Sequence, residues 1–383
     1  MPEAFPRGKS AIVSGATYGT GEAPGHTNME LAVKASKKAL DQVGLKFSDV
    51  DGLFICLPDD ILSGLTFSEY VGIQPRVMDN NRVGGSSFLT HAMWAAYAID
   101  SGQCDVALIT YGSNQRSTAG KLISIMKTPY YLAPYKCNIA SAYALAAARY
   151  MHQFGAPKEA FGEVAIAARK WAQKNPDAFM RDPLTMDDYM AARAVSSPLN
   201  VRDCCLVTDG AAAIVMTRAD RARDLAKRPA YLLGSAGATT HLDIASMGDL
   251  TRSAAVDSGA RAFAMAGVKP ADIDVVQLYD AFSLNVMLFL EDLGFCRKGE
   301  GWQFVSGGRI APGGELPVNT NGGGLSFCHP GMYGLFTMVE AAAQIAGTAG
   351  DRQVPDVHLA LAHGNGGTLS SQVTAIFGDE QTL

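Results

Sequence analysis

The strongest constraint on the fold is a short stretch of sequence that occurs twice, 223 residues apart. Residues 39–51 read ALDQVGLKFSDVD and residues 262–274 read AFAMAGVKPADID. The identical positions are Ala39 and Ala262, Gly44 and Gly267, Lys46 and Lys269, Asp49 and Asp272, and Asp51 and Asp274. Each copy has the pattern of a helix that ends at a glycine, followed by a short turn and an apolar strand. Such a repeat predicts one α/β unit that is built twice.

A second pair of segments supports the duplication. Residues 86–99 and 334–345 both have the composition of apolar helices, and each is followed by an apolar strand, DVALITYG or DVHLALAHG. Both halves therefore run helix, strand, glycine-rich loop, apolar helix, strand, which predicts two α/β units stacked across their helices. Similarity of alanine-rich helices by composition alone is the alternative. The predicted units are residues 1–222 and 223–383.

Residues 113–202 interrupt the first unit with a less regular segment. Its helical stretches, YALAAARYMHQFG, EVAIAARKWAQK and TMDDYMAARAV, are joined by turns that contain proline and asparagine. This pattern predicts a helical insertion. It either covers a ligand cleft or packs on the core without touching a ligand, and the sequence leaves both interpretations open.

Charge and cysteine content exclude several classes of protein. The chain has 32 Lys and Arg against 37 Asp and Glu, so it lacks the basic surplus of a protein that binds nucleic acid. Its seven cysteines are dispersed without a C-x-x-C pair, which favours a reducing cytoplasm and predicts no metal site. No uncharged apolar run reaches about 18 residues, so no membrane span is predicted.

The segment MDNNRVGGSS, residues 78–87, opens directly into the first apolar helix. A glycine-rich turn at a helix start leaves backbone N–H groups free near the positive end of the helix, which suits an oxyanion. Gly85 and Ser86 are therefore candidate site residues. The competing interpretation is an ordinary serine N-cap after a glycine turn.

Tyr279 and Asp280 lie at the end of the apolar strand VVQLY. Ligands of α/β proteins bind at the carboxyl ends of strands, so both side chains are candidates for catalysis. The competing interpretation is a tyrosine that covers the core and an aspartate that caps the next helix.

Two further glycine-rich loops lie in the second unit. NTNGGGLSFCHPGMYG, residues 319–334, holds His329 beside a proline, where it suits hydrogen bonding to a thioester oxygen or acid–base catalysis. HGNGG, residues 363–367, follows the strand HLALA and directs His363 toward the same cleft. Because the four segments occupy matching places in the two units, we expect them to form one site.

These motifs resemble the thiolase superfamily, and within it the sterol-carrier-protein-type thiolases. The resemblance covers nearly the whole chain and rests on GLKFSDVDGL, RYMHQFGAPKEAF, PLNVRDCCLVTDGAAAIV, YDAFSLN with EDLGFCRKGEG, LPVNTNGGGLSFCHPGMYG and HGNGG. It implies a five-layer αβαβα sandwich with a loop domain inserted in the first half. It also implies a homodimer and, as in many members without the usual thiols, a small zinc-ribbon and OB-fold partner protein.

The chain departs from thiolases at the position of their nucleophile. That cysteine lies 17 residues before the glycine of the turn that ends the helix, and counting back from Gly102 reaches Gly85. The thiol is therefore absent, and Ser86 and its neighbour Ser87 offer the only nearby hydroxyls. A serine at this point needs a base to activate it.

The second thiolase cysteine, which moves the α-proton, is also missing. The two positions where relatives keep it are His363 and Ala281 in this chain. The histidine of the sterol-carrier-type motif is replaced by Tyr279. The histidine of the Gly-His-Pro motif survives as His329, but Cys328 precedes it where glycine is usual.

Loss of the nucleophile favours a retro-aldol reaction. Claisen cleavage of a 3-ketoacyl-CoA must hold an acyl group on the enzyme between two half-reactions. Cleavage of a 3-hydroxyacyl-CoA needs only a base for the hydroxyl and an oxyanion hole for the thioester enolate. The expected products are a ketone or aldehyde and a shortened acyl-CoA, with the CoA thioester as substrate and no bound cofactor.

Resemblance to thiolase-like retro-aldolases of steroid side-chain CoA esters implies that Tyr279 takes the hydroxyl proton. A tyrosine has an ordinary pKa of about 10, so a positive or hydrogen-bonding neighbour must lower it, and His329 and His363 are the candidates. A second tyrosine of those enzymes corresponds to Cys328 or His329 here, with Tyr333 a few residues on.

The remaining roles follow from this reaction. His329 and the backbone amides of Gly85 and Gly366 are expected to stabilise the enolate, and His363 is expected to protonate its α-carbon. One alternative is an acyltransferase that uses Ser86 or Cys328. Another is a non-catalytic subunit that binds acyl-CoA.

Overall fold

Strands and helices alternate in both halves of the chain. The computed structural model describes residues 5–118 and 129–383. The strands are β1 (Ser10–Gly21), β2 (Gly52–Ile55), β3 (Val77–Asp79), β4 (Val106–Ser113), β5 (Ala194–Ser196), β6 (Leu199–Asn200), β7 (Asp209–Arg218), β8 (Ala230–Thr239), β9 (Val275–Leu278), β10 (Leu359–Gly366) and β11 (Ser371–Gly378). The helices are α1 (Asn28–Gln42), α2 (Ser63–Val71), α3 (Ser87–Asp100), α4 (Ile139–Phe154), α5 (Lys158–Gln173), α6 (Met186–Met190), α7 (Ala219–Leu225), α8 (Ala255–Ala266), α9 (Ser283–Asp292), α10 (Gly301–Phe304) and α11 (Gly334–Ala346).

The large sheet repeats one strand order on each side of a central junction. Its order is β3-β2-β4-β7-β1-β8-β11-β10-β9, and the junction is the short antiparallel pairing of β1 with β8. In each half the last strand, β7 or β11, is antiparallel to both neighbours. The next two strands, β4 and β2 or β10 and β9, are parallel. Val318 pairs with Val276 as β3 pairs with β2, so a single bridge stands in for the fifth strand of the second half.

The helices form three layers around the two half-sheets. Helix α3 packs against strands of both halves, including β4 and β7 on one side and β8 and β10 on the other, and α11 lies beside it. Helix α1 covers the outer face of the first half-sheet, and α8 covers the outer face of the second. The order of layers is therefore helix, sheet, helix pair, sheet, helix. This arrangement confirms the predicted five-layer αβαβα fold.

The repeated sequence forms the same local structure in both halves. Gly44 and Gly267 end their helices with φ values of 68° and 70°, in the left-handed region that favours glycine. After each glycine, Asp49 or Asp272 caps a short helical turn by accepting a backbone N–H bond. Two of the identities are thus explained by backbone geometry that few other residues provide.

Asp51 and Asp274 link the repeated turn by hydrogen bonds to the start of a neighbouring strand, β4 or β10. The Asp51 carboxylate accepts a hydrogen bond from the Val106 N–H at 2.8 Å, where β4 begins. The Asp274 carboxylate accepts the matching bond from the Leu359 N–H at 2.8 Å, where β10 begins. Identical contacts at corresponding points of two half-sheets favour duplication over a chance similarity of composition.

The insertion of the first half packs in part against the second half. Helices α4, α5 and α6 and the small β5–β6 hairpin lie between β4 and β7 in the chain. Helix α5 packs against α9 and against the turn at residues 323–327, both of which belong to the second half. The limits at 113 and 202 stay predictions, as does the division at 222/223, which falls inside α7.

Within residues 5–118 and 129–383, no helix combines the length and the apolar character that crossing a membrane requires. All seven cysteines carry free thiols.

The matching aspartates predict matching losses of stability. We expect Asp51→Ala and Asp274→Ala each to lower the free energy of unfolding by about 1–3 kcal/mol, because each leaves backbone N–H groups without their acceptor. Urea unfolding followed by circular dichroism measures the change. Asp41→Ala removes an exposed partner of Lys37 and serves as the control, with an expected change below about 0.5 kcal/mol. A loss at only one of the two sites would contradict the equivalence of the two halves.

Candidate active site

The four segments singled out by the sequence lie in contact at the carboxyl ends of β9 and β10. The backbone of Gly85 packs against the ring of Tyr279, and a Cβ at position 85 would overlap that ring and lie 2.8 Å from the Asn365 carbonyl oxygen. A Cβ on Gly334, at the start of α11, would overlap the Gly85 carbonyl oxygen. Only glycine permits this approach of backbone to ring, which explains why residue 85 has no side chain.

Tyr279 and His329 form the central pair of the site. Tyr279 follows β9 directly and is 4% exposed, and its Oη lies 2.9 Å from Nε2 of His329. The ring of Tyr333 stands edge-on to Tyr279, with ring centroids 5.8 Å apart, and its hydroxyl donates to Oδ1 of Asn321. Tyr333 therefore packs against the central pair while its own hydroxyl is bonded elsewhere.

Burial keeps both members of the pair neutral. It raises the pKa of Tyr279 well above its usual 10, and a hydrogen bond from the backbone of Tyr333 acts in the opposite direction. Burial also lowers the pKa of His329 to about 4. Near pH 7 the contact thus joins a phenol to a neutral imidazole. The expectation that His329 or His363 lowers the pKa of Tyr279 is therefore wrong, because burial raises that pKa and the neutral His329 supplies no positive charge.

Asp280 shapes the loop that carries His329. Its Oδ1 accepts a hydrogen bond from the Gly324 N–H at 2.6 Å, and its Oδ2 accepts one from the Leu325 N–H at 3.3 Å. These amides belong to a π-helical turn at residues 323–327. Burial raises the pKa of Asp280 to about 7, and the loop amides oppose this rise. The carboxyl group thus holds the turn that precedes His329.

The side chain of His363 belongs to a separate hydrogen-bond cluster. Its Nε2 lies 2.9 Å from Oε1 of Gln372, and its Nδ1 lies 2.9 Å from Oγ1 of Thr374. The ring also packs edge-on against Phe289, and burial lowers the pKa of His363 to about 4. Its backbone carbonyl accepts the Tyr279 N–H bond. Direct protonation of a substrate by His363 would therefore require one of its ring bonds to break.

Among the described residues, neither candidate nucleophile is hydrogen-bonded to a side chain that could act as its base. Ser86 is fully buried, and its Oγ donates to Oγ of Ser371 at 3.0 Å. Cys328 is also fully buried, and burial, followed by the charge of Asp280, raises the pKa of its thiol well above 9. In the described part of the chain, the partner of Ser86 is thus a hydroxyl, and the thiol of Cys328 is protonated.

The start of α3 carries two of the backbone amides that the sequence predicted for an oxyanion site. The Ser86 side chain makes no capping hydrogen bond, and in the described ranges the N–H groups of Gly85 and Ser86 have no acceptor. This arrangement favours the oxyanion interpretation over the ordinary serine N-cap. Gly366 lies in the β10–β11 ladder opposite Ser371, and its carbonyl accepts the Ser370 N–H bond.

Three polar residues of the site were missed by the sequence analysis. Tyr143 comes from α4 of the insertion, stacks on Phe282 with ring centroids 4.3 Å apart, and accepts a bond from Nδ2 of Asn365 at 2.9 Å. Asn285 donates to the Tyr279 carbonyl at 3.3 Å, and its Oδ1 is buried without a partner among the described residues. Asn365 lies in the HGNGG loop and Asn285 closely follows YDAF, so their proximity to these motifs could have identified them from the sequence. Tyr143 lies near none of the four motifs, and nothing in the sequence pointed to it.

No described residues form a group of three or more His, Cys, Asp or Glu side chains that could hold a metal ion.

Comparison with known proteins identifies relatives over nearly the whole chain. Residues 236–379 match the family described as thiolase C-terminal domain-like. The chain is 33% identical to a steroid side-chain-cleaving aldolase of Thermomonospora curvata, over 85% of this chain and 87% of that protein. It is 32% identical to the 17-hydroxy-3-oxo-4-pregnene-20-carboxyl-CoA lyase of Mycobacterium tuberculosis, over 94% of this chain and 97% of that protein. An acetyl-CoA acetyltransferase of Methanothermobacter thermautotrophicus is 30% identical, over 91% of this chain and 94% of that protein.

A solved structure, the Ltp2-ChsH2(DUF35) aldolase, has the same fold. The TM-score is 0.89 at 30% sequence identity, and the match covers 98% of this chain and 99% of that chain.

The tight contact at residue 85 predicts a specific loss of stability. We expect Gly85→Ala to lower the free energy of unfolding by about 1–3 kcal/mol, because the new Cβ overlaps the Tyr279 ring and the loops must move apart. Gly248→Ala is the matched control, since its Cβ meets no atom within 4 Å. Urea unfolding compares the two variants with the wild type. Equal stability of the Gly85 and Gly248 variants would show that the loops do not meet as closely as described.

Proposed function

Because the chain belongs to the thiolase superfamily, we propose that it cleaves the carbon–carbon bond of a 3-hydroxyacyl-CoA by a retro-aldol reaction. The products are a ketone or aldehyde and a shortened acyl-CoA. The observation that carries this proposal is the buried hydrogen bond between Tyr279 and His329, packed against Gly85 at the position of the thiolase nucleophile. The site thus has a proton acceptor and lacks an attacking sulfur at that point.

We propose that the proton of the substrate hydroxyl moves through the Tyr279–His329 pair. Oη of Tyr279 takes the proton from the β-hydroxyl as its own proton passes to Nε2 of His329. A buried phenolate without a counter-charge is costly, and this coupled movement avoids one. The C–C bond then breaks, and its electron pair forms the thioester enolate. The proton held by His329 returns through Tyr279 to the α-carbon, which gives the shortened acyl-CoA and restores the neutral pair.

The start of α3 is the proposed site of enolate stabilisation. The free N–H groups of Gly85 and Ser86 lie at the positive end of a 14-residue helix, next to the Tyr279 ring. Preorganised backbone donors of this kind favour the negative charge that develops on the thioester oxygen. The backbone of Gly366 packs against this turn, where a Cβ would overlap the Val83 carbonyl oxygen, and we propose that its amide adds to the same site.

The environment of the candidate nucleophiles favours this reaction over acyl transfer. The similarity to an acetyl-CoA acetyltransferase keeps that activity as the second candidate. An acyl transfer through Ser86 or Cys328 would need a base, yet Ser86 donates to Ser371 and the Cys328 thiol is buried and protonated. The two reactions differ in a simple requirement, because the acyltransferase needs an acyl acceptor and the lyase does not.

We propose that two copies of the chain associate through the edge of the first half-sheet. Strand β3 is the edge strand, and Met78 at its centre is 41% exposed. The adjacent segment exposes three more apolar side chains, Ile61, Leu62 and Leu65, at 84%, 55% and 57%. An unpaired edge strand beside exposed apolar side chains is typical of an interface between chains.

We also propose a small zinc-ribbon and OB-fold partner and a cytoplasmic location. The similar aldolase structure is named Ltp2-ChsH2(DUF35), which supports a partner protein for a chain of this kind. The seven free thiols support a reducing compartment.

Replacement of Tyr279 tests the proposed reaction. We expect Tyr279→Phe to lower kcat for cleavage by about 10²–10⁴-fold, because the acceptor of the hydroxyl proton is lost, with little change in acyl-CoA affinity. The first substrate to assay is 17-hydroxy-3-oxo-4-pregnene-20-carboxyl-CoA, which the name of one relative gives, without added free CoA. Tyr231→Phe is the control, since it removes a buried hydroxyl that has no partner in the described structure. Cleavage that persists in Tyr279→Phe, or that requires free CoA, would contradict the proposal.

Native mass spectrometry tests the proposed assembly. We expect a species of twice the 40.4 kDa chain mass, and loss of that species in Met78→Glu, because a charge at the centre of β3 opposes its pairing. Met190→Glu places the same charge at a 47% exposed position of the insertion and serves as the control.

Co-purification from cell extracts tests the partner. A co-purifying protein whose sequence contains zinc-ribbon and OB-fold motifs would support it. A fully active monomer that purifies alone would contradict both proposals.

A further inference from the structure

The insertion supplies a second tyrosine beside the central pair. Tyr143 lies on α4, is 1% exposed, and stacks on Phe282, three residues after Tyr279. Its hydroxyl is bonded to the side chain of Asn365, whose carbonyl oxygen lies close to the point where Gly85 packs against the Tyr279 ring. The hydroxyl of Tyr143 thus lies against the loops that form the proposed oxyanion site.

A chain of side-chain hydrogen bonds sets the direction of this hydroxyl. Asn365 uses its Nδ2 to donate to Tyr143, so its Oδ1 accepts from Nε2 of Gln372 at 2.8 Å. Oε1 of Gln372 then faces Nε2 of His363 at 2.9 Å, which must carry the proton. Nδ1 of His363 accepts from the Thr374 hydroxyl. Each of these hydrogen bonds is donated in the direction of Tyr143, whose own O–H proton lies at the end of the chain.

Among the described residues, the one recorded acceptor for the Tyr143 hydroxyl is a poor one. Its donation to the Gly367 carbonyl spans 3.4 Å, whereas O–H···O bonds cluster at about 2.7–2.8 Å. Acceptance of a bond from Asn365 polarises the O–H group and strengthens its next donation. Burial raises the pKa of Tyr143 to about 12, so the group stays protonated and acts as a donor at neutral pH.

An unpartnered acceptor nearby independently indicates a place for a ligand. Oδ1 of Asn285 is buried without a partner in the described ranges, while Nδ2 of the same side chain donates to the Tyr279 carbonyl. A buried polar atom without a partner is unfavourable and is ordinarily satisfied by water or a ligand. Asn285 therefore places a buried acceptor, unsatisfied among the described residues, beside Tyr279.

The geometry points to Tyr143 as a catalytic residue that donates a hydrogen bond to the carbonyl oxygen of the CoA thioester, with His363, Gln372 and Asn365 as its positioning residues. This inference rests on the proposed function and extends its oxyanion site into the insertion. No proton leaves Tyr143, because the bond only strengthens as charge develops on the thioester oxygen. His363 then acts through the hydrogen-bond chain and does not touch the substrate.

Binding of two CoA derivatives tests the contact without any cleavage. Propionyl-CoA carries the thioester carbonyl, and S-propyl-CoA lacks it. We expect Tyr143→Phe to weaken binding of propionyl-CoA about threefold to tenfold, since one hydrogen bond is lost, and to leave binding of S-propyl-CoA unchanged. Isothermal titration calorimetry on the full chain measures both. Tyr150→Phe is the matched control, because Tyr150 is buried on the same helix and its hydroxyl bonds Glu291. Equal weakening of both ligands, or of neither, would overturn the inference.

Cleavage assays separate this inference from the proposed function. If the wild type cleaves a 3-hydroxyacyl-CoA, we expect Tyr143→Phe to lower kcat about 10²-fold with a smaller change in KM, because the donor matters most in the transition state. An unchanged kcat in that variant would overturn the catalytic role. If the wild type does not cleave, the proposed lyase function is wrong, and a carbonyl-dependent loss of affinity still supports Tyr143 as the thioester donor.

A double-mutant cycle tests the positioning role of the chain. Gln372→Leu keeps the side-chain size and removes both polar contacts of Gln372. We expect it to weaken propionyl-CoA binding in the wild type and to add nothing in the Tyr143→Phe background, because the two changes act through one hydroxyl. Additive losses would show that Gln372 and His363 do not act through Tyr143.

Discussion

The site depends on the burial of one hydrogen bond, between Oη of Tyr279 and Nε2 of His329. Burial makes the charged form of either group costly, so near pH 7 the pair is a phenol and a neutral imidazole. Such a pair can transfer one proton from the phenol to the imidazole, but an unpaired buried charge on either group has a high free energy. The absence of a side chain at Gly85 is a condition for this contact, because any Cβ there would displace the ring.

The duplicated fold explains why distant segments meet at this pair. In each half the turn that opens the central helix lies at the carboxyl end of the parallel strands, so the start of α3 and the start of α11 come together. The insertion then packs over the second half and brings Tyr143 against Phe282. The halves thus place the central pair and the free amides, and the insertion adds a polar group that neither half contains.

Much of the architecture was predictable because its signals are local. The paired identities, such as Asp51 with Asp274, reflect the same bond to the next strand and could be found by counting. Contact among the four predicted segments follows from where parallel strands end. The predicted role of His363 rested on its place in a loop, and the structure shows both of its ring nitrogens bonded away from Tyr279. Likewise Asp280 holds the turn before His329, which its motif did not indicate.

The sequence alone determined that the chain is a doubled α/β protein with Tyr279 and Asp280 at a strand end and no cysteine at the start of the first apolar helix. Repeats, strand ends and missing residue types can each be recognised from short segments of sequence. Only the tertiary structure decided which buried polar groups share a proton and which are already satisfied. The reason is distance along the chain: Tyr143 and Asn365 are bonded across 222 positions, and Tyr279 and His329 across 50. Burial, which sets the charge of each group, exists only once those distant segments have packed together.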